Sequence, residues 1–262
     1  MSSSSTRIGD VIASVRSKGE KVLTLFLTAG FPEADSTPQL VFELEKAGAD
    51  IIELGMPFSD PLADGPVIQQ SSAVSLRNGT TLPSIISNIK QIRKQSDIPI
   101  VLMGYLNPIL RYGMDKFFRD AKAAGVDGVI LPEVPKEEVE EFKEMLEHHG
   151  IANILLVAPT SSSERIEAID RLSSGFLYCV STAGTTGAKS EGPPQEYIRR
   201  VKEHAKKNPV LVGFGIATSK DARAAARYCD GVIVGSALIK RIQRGRDKRF
   251  GEWVAEFKNV LR

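Results

Sequence analysis

Short apolar runs alternate with longer segments of helical period from one end of the chain to the other, and eight such pairs can be counted in 262 residues. This pattern predicts a (β/α)8 barrel, because repeated βα units build a parallel sheet and eight of them fill the roughly 250 residues of a closed barrel. The competing arrangement, an open doubly wound sheet, usually stops sooner or opens on a dinucleotide fingerprint, and no Gly-x-Gly-x-x-Gly opens this chain. A weak internal echo also supports the barrel. Ala47-Gly48-Ala49-Asp50 stands before the second strand and Ala124-Gly125-Val126-Asp127 before the fourth, each with a glycine placed to end a helix in the left-handed conformation.

In chain order, segment 8–16 reads as an extra helix closing the bottom of the barrel, and 22–28 is the first apolar strand. Helical period over 36–47 leads to a strand at 50–55, then to helical stretches 67–77 and 82–95 and a strand at 100–104. The remaining strands fall at 128–131, 153–157, 176–180, 210–214 and 231–234, separated by helical patterns over 114–124, 136–149, 163–172, 195–206 and 219–226. A short helix, 236–244, follows the last strand, and 251–261 ends the chain. No linker or low-complexity stretch divides these elements, so residues 1–262 are expected to form a single barrel domain.

With 42% hydrophobic residues the chain can bury a substantial core. Its 34 basic and 32 acidic residues leave a net charge of +2, which creates no field for nucleic acid or an anionic membrane. The basic stretch 240–249 carries no interleaved aromatics and reads as a solvated helix end. The first seven residues lack the apolar region of a signal peptide, and no apolar run approaches the roughly 20 residues that span a bilayer, so a cytoplasmic protein is expected. Cys179 and Cys229 form no Cys-x-x-Cys and lie in or beside apolar strands, as buried reduced thiols do.

Glu53 is the most informative residue. A carboxylate inside the apolar run Ile51-Ile52-Glu53-Leu54-Gly55 is costly to ionise without a partner, and a proton-transfer role explains it; a paired or helix-capping structural glutamate is the alternative. Strand alternation puts Ile51 and Glu53 on one face, and if that face is the barrel interior, desolvation raises the carboxyl pKa toward neutrality. Asp60 and Asp64 follow on a Pro/Gly-rich loop, where solvent is expected to keep a carboxylate ionised. Two carboxylates in unlike surroundings can divide acid and base roles. Near the other end, Gly213-Phe214-Gly215 closes one strand while Gly235-Ser236 closes the next and opens a helix, so backbone N–H groups can converge on a phosphate. The glycine-rich loop 181–188 reads as a lid contributing further donors. His148, His149 and His204 fall on outer helical patterns, so no metal site is expected, and no lysine ends a predicted strand to form a Schiff base.

The run from Glu53 to Pro66, Glu-Leu-Gly-Met-Pro-Phe-Ser-Asp-Pro-Leu-Ala-Asp-Gly-Pro, resembles the signature of the tryptophan synthase alpha subunit. Further matches are Phe26-Leu27-Thr28-Ala29-Gly30, Tyr105-Leu106-Asn107-Pro108, Val134-Pro135, Thr186-Gly187, Gly213-Phe214-Gly215-Ile216 and Gly235-Ser236, so the likeness covers the whole chain. It implies retro-aldol cleavage of indole-3-glycerol phosphate to indole and glyceraldehyde 3-phosphate. Glu53 would be the general acid/base, and Asp64 would accept the indole N–H. Phe26, Met103, Ile130, Tyr178, Phe214 and Ile233 would line the indole pocket. Gly187, Gly215, Gly235 and Ser236 would hold the phosphate, and Thr186 would bond Asp64 on lid closure. The family works with a beta subunit in an αββα complex, with pyridoxal phosphate in that partner and none in this chain. Glu133, in place of a common Asp, and Thr185, in place of an aliphatic residue, are departures that bear on lid closure or coupling. The rivals are a stand-alone lyase releasing free indole, a barrel isomerase for a phosphoribosyl substrate, and a binding module with a decayed site.

Overall fold

The computed structural model describes residues 6–134, 139–180, 195–213, 215–245 and 249–262. Nine strands lie among them: β1 (Val22–Thr28), β2 (Ile51–Gly55), β3 (Ile100–Met103), β4 (Gly128–Ile130), β5 (Ala152–Asn153), β6 (Leu155–Val157), β7 (Leu177–Val180), β8 (Val210–Gly213) and β9 (Gly231–Val234). All pair in parallel, in the order β5-β4-β3-β2-β1-β9-β8-β7-β6. The two ends of that order are consecutive in sequence, separated only by Ile154, so the sheet curls into a nearly closed barrel. The fifth expected strand is thus two short ones. The Ser173 hydroxyl takes the Leu155 N–H at 3.2 Å and donates within its own turn, interrupting the ladder there.

The helices are α1 (Arg7–Ser17), α2 (Thr37–Lys46), α3 (Pro66–Arg77), α4 (Leu82–Ile92), α5 (Leu106–Tyr112), α6 (Met114–Ala124), α7 (Val139–His148), α8 (Ser163–Leu172), α9 (Gln195–His204), α10 (Ser219–Ala226), α11 (Ser236–Gln243) and α12 (Phe250–Asn259). Local chemistry sets several starts: Thr6 caps α1, Ser162 caps α8, and reciprocal capping boxes open α4 at Thr81/Ser84 and α10 at Thr218/Asp221. Gly125 ends α6 at φ +96°, as its place in the internal echo predicts. The short helix α5 is absent from the sequence reading.

Two apolar layers result. Alternate strand residues, among them Ile51, Val101, Ile130, Tyr178, Leu211 and Ile233, fill the barrel interior, and Ile8, Ile12 and Val15 of α1 plug its base. The opposite faces, such as Leu23, Leu25, Ile52 and Leu54, pack against the surrounding helices.

A repeated clamp runs around the base. Asp50 accepts the Leu23 N–H at 2.7 Å and returns its own N–H to the Leu23 carbonyl at 2.9 Å. Asp127 does the same with Ile100, at 2.9 Å in both directions, and Asp230 with Val210, at 2.8 Å in both. Ser174 repeats the exchange with Asn153, at 2.8 Å each way. The three aspartates also meet cations: Lys258 at 2.9 Å from Asp50, Arg93 and Arg7 each at 2.8 Å from Asp127, and Lys202 on Asp230.

Candidate active site

Glu53 sits on β2, in register with Phe26 on β1 and Val101 on β3. It shares the interior face with Ile51, as alternation requires. Its side chain is buried, at 1% exposure, and neither carboxylate oxygen has a hydrogen-bond partner among the described residues. Burial, and then the neighbouring negative charge of Asp64, raises its pKa to about 8. Glu53 is therefore a neutral acid at pH 7 that stands within reach of its ionised form, and it has neither the ion pair nor the helix cap of a structural glutamate among the described residues.

Asp64 lies at the end of the β2–α3 loop. Its N–H donates to the Pro61 carbonyl at 3.1 Å, and the Gln69 amide from α3 donates to its carbonyl at 2.9 Å. Contrary to the sequence reading, solvent is not what favours its charge. The carboxyl is partly buried and burial raises its pKa to about 6, while a hydrogen bond from the Tyr105 hydroxyl pulls the other way. Asp60 does lie exposed, as expected, and accepts from Ser59. The two carboxylates are thus tuned to different values by their unequal burial.

Apolar surfaces surround the pair. A small pocket is lined by Phe26, Gly55, Met56, Asp64, Ile68, Ser72, Met103, Gly104, Tyr105 and Pro132. A Cβ at Gly55 would stand 2.6 Å from the Phe26 ring, so the absence of a side chain there makes room for that ring. Ile130 and Ile233 lie buried in the interior, and Met103 pairs with both Gly55 and Ile130 across the sheet. Tyr178 is buried on β7, and its hydroxyl pKa is raised by burial and then by the charges of Glu53 and Asp64. Its hydroxyl occupies the space next to Gly213, where a Cβ would come within 2.4 Å.

Gly215 and Gly235 follow the adjacent strands β8 and β9. Gly215 has φ +75°, and Gly235 caps α11 without a side-chain hydrogen bond. Ser236 is the first residue of that helix and is partly exposed. A Cβ at Gly235 would find its nearest neighbour, Phe26 Cβ, at 3.7 Å, so this glycine borders Phe26. Phe214, Thr185, Thr186 and Gly187 lie outside the described residues.

The sequence reading names Tyr105 only within a matching run and gives it no role, although a polar group just past a barrel strand's C-terminal end is a signal for function. Ser72 and Met56 lie in the pocket wall without a comparable sequence signal. Among the described residues no group of His, Cys, Asp and Glu is arranged to hold a metal ion. His149 pairs with Asp115 at 3.2 Å and His204 with Glu167 at 2.9 Å, on outer elements. Cys179 and Cys229 are free and buried, and burial pushes both thiols up to about 12.

Beside loop 57–64 lies an open groove whose walls include Pro57, Phe58, Leu82, Asn107, Pro108 and Tyr112. Leu62 on the loop is 88% exposed, and Leu110 on α5 is 54% exposed. No helix among the described residues is long and apolar enough to cross a membrane.

Comparison with known proteins gives a consistent result. The family model described as tryptophan synthase alpha chain matches residues 12–260. The chain is similar to tryptophan synthase alpha chains from Geotalea uraniireducens, 46% identical over 259 residues covering 97% of each chain, and Geobacter sulfurreducens, 46% identical over 259 residues covering 98% of each. Among solved structures, aminoacrylate-bound tryptophan synthase from M. tuberculosis aligns at TM-score 0.88 with 34% identity, covering 98% of this chain and 100% of that one. Tryptophan synthase subunit alpha from Legionella pneumophila aligns at TM-score 0.88 with 35% identity, covering 98% and 99%. With its barrel, its buried glutamate and its match across nearly the full length, this chain belongs to the tryptophan synthase alpha chain family.

Proposed function

We propose that Glu53 and Asp64 divide the proton and charge work of the family's lyase reaction, the cleavage of indole-3-glycerol phosphate in tryptophan biosynthesis. The observation that carries this assignment is Glu53, an unpaired carboxyl buried on the interior face and held to a pKa of about 8 beside an aspartate of lower pKa. As an acid, Glu53 gives its proton to indole C3, and the ring becomes a cation stabilised by Asp64 accepting the N–H. As a base, the same carboxylate then takes the proton of the glycerol hydroxyl next to the bond to be broken. The C–C bond cleaves, its electrons return to the ring, and indole and glyceraldehyde 3-phosphate leave with Glu53 protonated again. The protonated ring is its own electron sink, so the step calls for no cofactor in this chain. Each proton transfer of this type contributes about 10²–10⁴-fold.

Phe26, Met103, Ile130, Tyr178, Phe214 and Ile233 form the indole pocket in this reading. Gly187, Gly215, Gly235 and Ser236 hold the phosphate, and Thr186 bonds Asp64. The partner is a pyridoxal-phosphate beta subunit in an αββα assembly, and the groove beside loop 57–64, with exposed Leu62 and Leu110, supports docking at this face. We place the chain in the cytoplasm as one barrel domain over residues 1–262. A stand-alone lyase is not favoured, because the named relatives are alpha chains.

The test is to incubate the pure chain with indole-3-glycerol phosphate and measure indole, alone and with a cognate beta subunit. Indole release that Glu53→Gln nearly abolishes, with ligand binding kept, is expected. Substantial turnover by Glu53→Gln moves the acid/base role elsewhere, and no response to the beta subunit removes the partner assignment.

A further inference from the structure

We propose that Tyr105 is a positioning residue for the reaction, its one hydroxyl fixing both Asp64 and the loop backbone before it while its ring ties them to the groove. The proposal rests on the reading of Asp64 given above. Tyr105 is buried directly after β3, at the end of the barrel that carries Glu53 and Asp64. Its hydroxyl accepts the Ala63 N–H at 3.0 Å and donates its only proton to the Asp64 carboxylate. One atom thus holds two consecutive loop residues, and the loop cannot shift without breaking a bond at the catalytic carboxylate.

The other end of the connection is the ring. Its centroid lies 5.1 Å from that of Phe58, tilted by 31°, and Phe58 shapes the groove together with Asn107 and Pro108 of α5. That helix starts one residue after Tyr105, where Glu133 accepts the Leu106 N–H. Tyr105 therefore stands between the groove and Asp64, touching the loop on one side and continuing into α5 on the other. A partner in the groove can alter Asp64 only through contacts that differ between its bound and free states, and Tyr105 is the residue that touches both Phe58 of the groove and Asp64.

The chemistry of the contact is directional. A donor to the charged form favours ionisation, so the phenol opposes the effect of burial on Asp64. The other titratable groups facing this centre are Glu53 from β2, Tyr178 from β7 and, toward Tyr105, Glu133. Glu53, protonated near neutral pH, adds no charge against Asp64, and the charge of Glu133 bears on the phenol of Tyr105. Removing the hydroxyl must therefore make Asp64 harder to ionise, and it also strands the Ala63 N–H.

The experiment measures kcat and KM against pH for the parent chain, Tyr105→Phe, Phe58→Leu and Asp64→Asn, each with and without a cognate beta subunit, with circular dichroism as the check on folding. Tyr105→Phe is expected to lose about tenfold in kcat on the acid side, recovering as pH rises, with KM changed less than about threefold, as loss of a charge-assisted hydrogen bond implies. Phe58→Leu is expected to keep the acid limb in place and to reduce stimulation by the beta subunit. A uniform fall of kcat at every pH in Tyr105→Phe, or an unmoved acid limb, overturns the proposal. If that limb is unmoved while Asp64→Asn is inactive, the reading of Asp64 stands and only the role of Tyr105 fails. If Asp64→Asn keeps the parental rate and limb, the reading of Asp64 itself fails.

Discussion

A buried carboxyl is a compromise between catalysis and stability, and Glu53 lets both sides be measured. With Glu53 raised to about 8 and Asp64 to about 6, the acid form of one and the charged form of the other coexist in the interval between them. The kcat profile is therefore expected to be a bell with its maximum near pH 7, reporting apparent values of the coupled pair. A profile without an alkaline decline would remove Glu53 as the proton donor. The same shift costs stability, and the sign follows from linkage. The unfolded chain loses the Glu53 proton near 4.5 and the folded chain only near 8, so the folded state binds more protons across that window and stability falls as pH rises through it. At pH 7 the cost is on the order of 3 kcal/mol. Glu53→Gln should therefore unfold at a higher urea midpoint than the parent at pH 7 to 8, with the gap closing toward pH 4. An inactive variant that shows no such pH-dependent gain would mean that the carboxyl is not desolvated in solution. Glu53 was legible in sequence because its charge breaks an apolar run. The value of Asp64 was not, because it depends on burial and on Tyr105, which lies on the connection between β3 and α5.

The start of α11 offers a test of what a helix terminus contributes to binding. Its first N–H groups have no side-chain cap, and Gly235 leaves the approach to them open. A Cβ at Gly235 meets nothing closer than 3.7 Å, so a side chain can start there without a clash and stand in the path proposed for the phosphate. Gly235→Val is expected to raise KM for indole-3-glycerol phosphate at least about tenfold while changing the affinity for free indole little, since a lost charge-assisted contact is worth about 1.5–3 kcal/mol. Ser236→Ala, which removes one hydroxyl from a site built mainly of main chain, should be milder. Equal losses for both ligands would place the phosphate elsewhere. The two strand ends and the helix after them were readable because glycines close adjacent apolar runs and Gly235-Ser236 opens a helical pattern. Helix α5 was not. It has only seven residues, too few to show a helical period, and it carries Pro108 in its first turn, where proline is tolerated. The split of the fifth strand was equally hidden, because it is imposed by the Ser173 hydroxyl, distant from it in sequence.

Over the whole barrel, the echo of Asp50 and Asp127 in the sequence proves to be half of a fourfold arrangement. Asp230 and Ser174 complete it, preceded by residues too different to reveal the repeat in the sequence alone. Each aspartate clamp locks the first residues of one strand to the residue before the next, and Ser174 ties the end of β5 to the approach to β7, so together they hold the register around the base, opposite the end that carries Glu53 and Asp64. In a barrel the two ends divide the work, with chemistry at the C-terminal ends of the strands and stability at the other. The quarters are not equal. Asp127 is paired with two guanidinium groups, of which Arg93 is largely buried, whereas among the described residues Ser174 meets no cation. Asp127→Ala leaves a buried cation without its partner and is expected to cost about 3–5 kcal/mol. Ser174→Ala strands a single N–H and is expected to cost about 1–3 kcal/mol. In urea unfolding the two midpoints should separate by that difference, while KM and the pH profile of the still-folded fraction stay at parental values for both. Equal destabilisation would show that the hydrogen-bond exchange alone sets the register and that the cations add nothing. A shifted pH profile in either variant would show that the base is coupled to the site through the strands, and the division of labour between the two ends would not hold for this barrel.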